Sequence, residues 1–198
     1  MNIENEEYYE NFLNIKTKAD ENDNENKNVI NYGYNPTTYI FLNYIFKKYP
    51  FHEDDHLIDF GCGYGRVMIM ASHYSCKNIK GYEIDEKRYK LLIENISKYK
   101  QKHPNNSNFC TYSNNASSSL IDIKDNKFFF FEPFHLKIYI KIIKKIVNSL
   151  NEKYRETYLM LFCPSEVVVN YIDTITIYKK IEYELFAKNS YKYVICKS

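Results

Sequence analysis

The sequence predicts an α/β fold in which a mostly parallel sheet carries helices on both faces. Three observations predict it. From residue 29 onward, short apolar runs alternate with amphipathic segments, one apolar run leads directly into a glycine-rich turn, and the chain ends in two strand-like runs. Alternating strands and helices build a parallel sheet that is covered on both faces. A terminal hairpin then adds an antiparallel strand at one edge.

The individual elements follow from the spacing of the apolar residues. Strands are predicted at 57–60, about 78–83, 107–112, 127–131, 157–163, near 179–187 and 191–196, with a hairpin turn at 188–190. Helices are predicted from Pro36 to about Lys48, and at about 65–75, 86–100 and 134–150. Pro36 is expected at the first helical position, and Asp85 is expected to cap the helix that follows it.

The first 28 residues differ from the rest in charge. Residues 1–28 hold eight acidic residues and three lysines, whereas the whole chain has a net charge of +2, so the remainder carries +7. We expect an acidic, partly mobile extension over 1–28 and one domain over 29–198. Apolar side chains from Tyr8 to Ile15 predict a short amphipathic element, either folded over an active site or lying on the surface. A moderately basic body can attract an anionic substrate, but it lacks the basic stripe of a dedicated nucleic-acid binder.

Cysteine and histidine placement argues against disulfide and metal frameworks. The five cysteines are irregularly spaced and odd in number, which does not fit a disulfide framework. His52 and His56 stand beside acidic residues without further ligands nearby, so we expect surface histidines and no metal site. A signal peptide and an apolar run near 18 residues are both lacking, so a cytoplasmic protein without a membrane partner is expected.

The strongest motif is L-I-D-F-G-C-G-Y-G over residues 57–65. Gly61, Gly63 and Gly65 can adopt backbone angles closed to other residues, and they let a ligand approach the main chain. Dinucleotide-binding turns have the pattern G-x-G-x-x-G. Here the third glycine comes one position early, and Arg66 occupies the place of the dinucleotide glycine. The acid before the turn, Asp59, suits a ligand with an α-ammonium group, because the two form a charge-assisted hydrogen bond.

A second acid follows the glycine turn at a characteristic distance. Glu83 ends the second predicted strand, 22 residues after Gly61. A carboxylate there can accept hydrogen bonds from both hydroxyls of a ribose. Ile84 follows and is expected to pack against an adenine. The turn and the two acids together favour S-adenosylmethionine over a dinucleotide.

With these residues the chain resembles the class I S-adenosylmethionine-dependent methyltransferases, over roughly residues 29–198. The resemblance implies a Rossmann-like, seven-stranded sheet whose last strand is antiparallel. It also implies that S-adenosylmethionine is bound by the turn, Cys62 included, and by Glu83 and Ile84. A dinucleotide-binding or non-catalytic Rossmann domain is the alternative.

Two further stretches match the family less closely. Where the family often has Asp-Ala after its third strand, this chain has Asn115-Ala116, whose amide oxygen can bind the adenine amino group. The same stretch also fits an ordinary polar loop. Before the first strand, Y-G-Y-N-P-T-T-Y resembles a stretch in a subset that includes relatives of the non-SET histone lysine methyltransferases. That likeness implies that Thr37 or Thr38 touches the cofactor carboxylate and that Tyr32 or Tyr34 lines the methyl channel. Helix capping and core packing are the alternative.

The fourth predicted strand ends F-F-F-F-E-P-F, which resembles the Asn-Pro-Phe element of methyltransferases that act on nitrogen. The resemblance implies that Glu132 and the backbone at Pro133 hold the target amine. Glu132 replaces the usual Asn or Asp, and a polar strand end that only caps the next helix is the alternative. We therefore predict transfer to a nitrogen of a protein, a peptide or a small amine. A methyltransferase of RNA or DNA and a non-catalytic S-adenosylmethionine-binding partner subunit are the competing hypotheses.

Overall fold

The computed structural model describes residues 3–19, 34–131, 135–186 and 191–198. Seven strands in this part of the chain form one sheet: β1 His56–Phe60, β2 Asn78–Glu83, β3 Asn108–Ser113, β4 Lys127–Phe131, β5 Tyr158–Phe162, β6 Lys179–Phe186 and β7 Tyr191–Lys197. Six helices accompany them: α1 Ile3–Leu13, α2 Tyr39–Lys48, α3 Arg66–His73, α4 Glu86–Lys102, α5 Leu136–Glu152 and α6 Glu166–Asp173.

The sheet has the strand order β3-β2-β1-β4-β5-β7-β6. Strands β1 to β5 pair in parallel, and β7 runs antiparallel to both β5 and β6. The predicted mostly parallel, Rossmann-like sheet with an antiparallel last strand is therefore confirmed. The order reverses between β1 and β4, and ligands of such sheets bind at the carboxyl ends of the strands beside this switch point.

Two apolar clusters lie on opposite faces of the sheet, which confirms the predicted helices on both faces. One cluster joins the buried sides of α1 to α4 with alternate strand residues such as Leu57 and Phe129. The other joins α5 and α6 with residues such as Ile58 and Phe128. Because successive side chains of a strand point to opposite faces, the apolar runs of β1 and β4 supply both clusters.

The structure corrects two helix predictions. Pro36 does not open α2, because Thr38 is the N-cap residue and its hydroxyl accepts a hydrogen bond from Phe41 N at 3.4 Å. Helix α6 was not predicted, since E-V-V-V-N-Y-I-D is rich in β-branched valine, which disfavours helix. It forms because it buries Val168 and Ile172 against the sheet.

The other predicted helices and strands appear within about two residues of their predicted bounds. The predicted hairpin turn at 188–190 lies outside the described residues. Among the residues that are described, no helix is long and apolar enough to cross a bilayer.

Candidate cofactor site

The glycine turn lies at the carboxyl end of β1 and is tied to β2. The N–H groups of Gly61 and Cys62 both donate to Tyr82 O, at 2.9 and 3.1 Å. Gly61, Gly63 and Gly65 have φ angles of 77°, 53° and 88°. The backbone therefore takes the left-handed conformation at three alternate positions, which glycine accepts without strain. The turn delivers the chain into α3 at the switch point of the sheet.

Glu83, at the end of β2, holds the turn in place. It is 5% exposed, and its two carboxylate oxygens accept hydrogen bonds from Gly63 N at 2.8 Å and Asp85 N at 2.9 Å. Burial raises the pKa of Glu83, and these two backbone N–H groups oppose the shift. A carboxylate offers about four acceptor positions, so capacity remains for ribose hydroxyls. Glu83 thus joins the turn to the place predicted for the ribose.

Asp59 presents a buried oxygen without a partner. The side chain is 3% exposed, and among the described residues its Oδ2 has no hydrogen-bond partner. Burial raises the pKa of Asp59 to about 8, and the charge of Glu83 adds to the shift. A buried carboxyl that lacks a partner is costly. An α-ammonium group supplies the missing charge and donor, so Asp59 fits the zwitterionic end of S-adenosylmethionine.

Tyr34 lies directly on the glycine turn. A Cβ atom built on Gly63 would overlap the Tyr34 ring, so residue 63 has no space for a side chain. The ring contacts Tyr64 at a centroid distance of 4.2 Å, and the Tyr34 hydroxyl donates to Thr17 O at 2.9 Å. The N-terminal part of the chain thereby reaches the turn through Tyr34.

The remaining predicted cofactor residues lie around this centre. Ile84 is 45% exposed, with a free apolar surface next to Glu83. The loop after β3 is fixed to Glu83, because Asn114 N donates to Glu83 O at 3.0 Å. Asn115 Oδ1 accepts from Ser117 N at 2.8 Å and caps a short 3₁₀ helix, Ala116–Ser118, in which Ala116 is buried.

The two threonines before α2 have structural roles in this arrangement. Thr38 caps α2, as described above, which agrees with the capping alternative. Thr37 is buried, and its carbonyl oxygen accepts from Arg66 Nη1 at 3.0 Å. The structure therefore places both residues close to the first turn of α3. Their contact with a cofactor carboxylate stays a prediction.

Arg66 makes buried contacts at the glycine turn that the sequence did not predict. It was noted only as the replacement of a dinucleotide glycine, yet its guanidinium is buried and pairs with Glu6 and Glu10 of α1. The sequence signal is the pair of acids four residues apart, which share one face of a helix.

A cavity of about 270 Å³ opens beside the carboxyl ends of β4 and β5. Its walls include Phe131, Phe162, Tyr191, Thr38, Glu6 and Arg66. Glu132 and Pro133, which follow Phe131, lie outside the described residues, so their predicted role stays a prediction. Tyr32 lies outside them as well.

Comparisons with known proteins identify the family and the fold of the chain. The model of the family described as histone methylation protein DOT1 matches residues 13–122. The matched range contains the glycine turn, Glu83 and Asn115, and it ends before β4. No curated protein sequence matches the chain.

Solved structures of low sequence identity share the fold. SMU.1697c from Streptococcus mutans, assigned as a methyltransferase and solved in complex with SAH, has 13% identity and a TM-score of 0.60, covering 82% of this chain and 99% of its own. The protein yhhF from Escherichia coli, also assigned as a methyltransferase, has 20% identity and a TM-score of 0.62, covering 83% and 88%. A protein from Clostridium thermocellum assigned as an rRNA methylase has 10% identity and a TM-score of 0.61, covering 83% and 97%.

The family match covers more than half of the chain, and its range includes the residues that the sequence predicts to bind the cofactor. The fold and this match support S-adenosylmethionine as the cofactor. The chain belongs to the methyltransferase family described as histone methylation protein DOT1.

Proposed function

We propose that the protein transfers the methyl group of S-adenosylmethionine to a nitrogen atom of a protein, a peptide or a small amine. The observation that carries the cofactor part is Asp59, a buried carboxyl with an unpartnered oxygen beside the glycine turn. The nitrogen part is supported by the segment after β4, where Phe131 is followed by Glu132 and Pro133.

Each residue of the candidate site has a binding role in this proposal. Asp59 accepts the α-ammonium, Glu83 accepts the ribose hydroxyls, and Ile84 covers one face of the adenine. Asn115 uses its amide oxygen for the adenine amino group and keeps its cap bond to Ser117, because that oxygen accepts two bonds.

The chemistry is a direct displacement that needs no enzyme nucleophile. The bound cofactor supplies an electrophilic methyl group on a sulfonium. The acceptor nitrogen forms the new N–C bond while the S–C bond breaks, and the nitrogen then loses one proton. The protein aligns the nitrogen with the methyl group. Glu132 accepts an N–H hydrogen bond and takes up the proton.

The cavity of about 270 Å³ is the proposed acceptor site. Phe131, at the end of β4, lines it next to Phe162 and Tyr191. The aromatic part of the wall suits an alkyl amine, and Glu6 offers it a carboxylate, although Lys18 and Arg66 line the same cavity. The cavity extends from Phe131 at the end of β4 to Arg66, which directly follows the glycine turn.

An acceptor in RNA or DNA is the second candidate, and one observation favours it. A groove of about 580 Å³ beside Tyr64 is lined by Lys16, Lys18, Lys87 and Lys98, although Glu7 and Glu10 line it too. Several lysines along one groove attract a phosphate backbone. Binding of an oligonucleotide that weakens steeply with salt, together with methyl transfer to it, would favour this candidate.

Two measurements test the proposal. Titration calorimetry should show binding of S-adenosylmethionine and of SAH, but not of NAD, and a lack of affinity for both sulfur ligands would refute it. Transfer of a radiolabelled methyl group is then measured to a lysine-containing peptide, to a polyamine and to an oligonucleotide.

Glu132→Gln should keep cofactor affinity and lose turnover on the amine. The matched control Glu152→Gln, at the exposed end of α5, should leave both unchanged.

A further inference from the structure

Arg66 is a buried charge that the proposed chemistry does not use. It is the first residue of α3, directly after Gly65, and only 3% of it is exposed. A guanidinium has five N–H donors that need acceptors when it is buried. Because its backbone belongs to the end of the glycine turn, whatever the side chain binds is tied to that turn.

The side chain reaches back to α1. Arg66 Nη1 lies 2.6 Å from Glu6 Oε2, and Nη2 lies 3.3 Å from Glu10 Oε1. The guanidinium also stacks over the Tyr39 ring, 4.1 Å from its centroid. Glu6 additionally accepts Tyr39 N at 2.9 Å, at the start of α2. One cation therefore joins α1, α2 and α3.

The contacts continue from Arg66 to Tyr34. Arg66 Nε donates to Thr17 Oγ1 at 2.7 Å, and Glu10 Oε2 accepts Thr17 N at 2.6 Å. Thr17 O in turn accepts the Tyr34 hydroxyl, whose ring lies on Gly63. A connected set of hydrogen bonds thus runs from α1 through Thr17 to the residue that covers the glycine turn.

We infer that Arg66 is a positioning residue that makes α1 part of the cofactor site. It holds α1 and Thr17 in place, so that Tyr34 packs on Gly63. The inference rests on the proposed binding of S-adenosylmethionine at the turn. Since docking of α1 and binding of the cofactor involve the same turn, each stabilises the other by the same free energy.

The two carboxylates of α1 explain why position 66 needs a positively charged side chain. Without Arg66, the carboxylates of Glu6 and Glu10 lie side by side, buried or half-buried, without this counter-charge. A lone buried charge is strongly unfavourable, so α1 separates from the turn. Lysine does not replace arginine, because a single ammonium cannot reach acceptors spread over Glu6, Thr17 and Thr37.

The test compares Arg66→Lys with a control arginine at the other end of the sheet. Arg155 donates to Asp125 O at 2.7 Å and to Ser149 Oγ at 3.0 Å, beside the amino end of β4. Hydrogen exchange is measured over residues 3–19, and cofactor affinity is measured by calorimetry. Arg66→Lys should speed exchange of α1 and weaken S-adenosylmethionine binding about tenfold, which equals about 1.4 kcal/mol. Arg155→Lys should do neither, although it lowers the melting temperature.

A second variant separates positioning from general damage. Glu10→Gln replaces one of the two carboxylates that pair with Arg66 by a neutral amide, so Arg66→Lys should cost less in that background. In the unchanged protein, saturating S-adenosylmethionine should slow exchange of α1. Faster α1 exchange in Arg66→Lys with cofactor affinity within twofold of the unchanged protein would overturn the inference. An equal loss of affinity in both arginine variants would overturn it too.

Failure of the proposed function gives a different result. If the unchanged protein binds neither S-adenosylmethionine nor SAH, the cofactor assignment is wrong. Exchange of α1 in Arg66→Lys then still decides whether Arg66 holds α1 on the turn, and unchanged exchange overturns the inference.

Discussion

Asp59 and Glu83 are buried carboxyl groups on neighbouring strands, and only one of them is satisfied. Glu83 accepts two backbone N–H groups, whereas Asp59 Oδ2 has no partner within the described part of the chain. The charge of Glu83 adds to the burial that raises the pKa of Asp59 to about 8. The unpartnered Asp59 carboxyl therefore lowers the stability of the free protein at the position where a cation is expected to bind.

Asp59→Asn should stabilise the free protein while weakening its affinity for the cofactor. The folded-state pKa of Asp59 is about 8, above its ordinary value of 3.8. Protonation of Asp59 therefore favours the folded protein fully only at a pH below 3.8. This stability is lost as the pH rises to about 8. The melting temperature of the variant should therefore exceed that of the unchanged protein by a margin that grows between about pH 5 and pH 8. A lower melting temperature for the variant at pH 9 would contradict the lack of a partner at Asp59.

Binding of S-adenosylmethionine should release a proton near pH 6.5. At that pH Asp59 is protonated in the free protein, whereas the α-ammonium of the ligand is charged because α-amino groups titrate near 7.7–8.0. Ion pairing requires the Asp59 carboxyl to ionise. Calorimetry in two buffers of different ionisation enthalpy measures the proton count. The release should disappear in Asp59→Asn, and its persistence there would assign the proton to another group.

Glu83→Ala should weaken cofactor binding at least tenfold, a loss of about 1.4 kcal/mol. The substitution removes the ribose acceptor and also the partner of Gly63 N and Asp85 N. Glu86→Ala, at the exposed start of α4, is the matched control and should bind normally. Equal affinities for the two variants would remove Glu83 from the cofactor site.

Gly63→Ala should destabilise the protein through two separable effects. The φ angle of 53° costs a residue with a side chain about 1–2 kcal/mol, and the new methyl group overlaps the Tyr34 ring. In a Tyr34→Ala background the overlap is removed while the backbone strain remains. Urea unfolding of the four proteins in this cycle should show a smaller cost of Gly63→Ala in that background. Additive costs would show that Tyr34 does not pack on the turn in solution.

Thr38→Ala distinguishes the two roles that the sequence left open for this residue. Loss of the N-cap of α2 should cost about 0.5–1 kcal/mol of stability. If Thr38 only caps the helix, the affinity for S-adenosylmethionine stays within twofold, and this is the result we expect. A tenfold loss of affinity would instead favour the contact with the cofactor carboxylate that the family resemblance implies.

The fold was predictable because buried parallel strands read as short apolar runs, and Lys127–Phe131 is the clearest of them. The glycine turn was predictable because positive φ angles at alternate positions restrict the residue type at Gly61, Gly63 and Gly65. Helix α6 was not predictable, since three consecutive valines disfavour helix locally and tertiary burial decides the outcome.

The role of Arg66 was hidden for a different reason. Its partners Glu6 and Glu10 precede it by 60 and 56 residues, and periodicity describes only local neighbours. Glu6 and Glu10 are two of eight acidic residues in the first 28 residues, and their residue type does not single them out. Their spacing of four residues puts Glu6 and Glu10 on one face of a helix, but only the packing of α1 shows that this face meets Arg66.

The placement of α1 also constrains the order in which the chain can fold. Lys102 Nζ donates to Asn11 O at 2.8 Å, and the His103 ring lies 2.6 Å from Phe12 O, across 91 residues in each case. During synthesis, α1 leaves the ribosome before α4, and α2, β1, α3 and β2 lie between them. The contacts of Asn11 and Phe12 therefore cannot form until residue 103 is available, whereas those of Glu6 and Glu10 need the chain only as far as Arg66. Docking of α1 on the end of α4 closes a long loop, whose entropy cost slows this step relative to local helix formation.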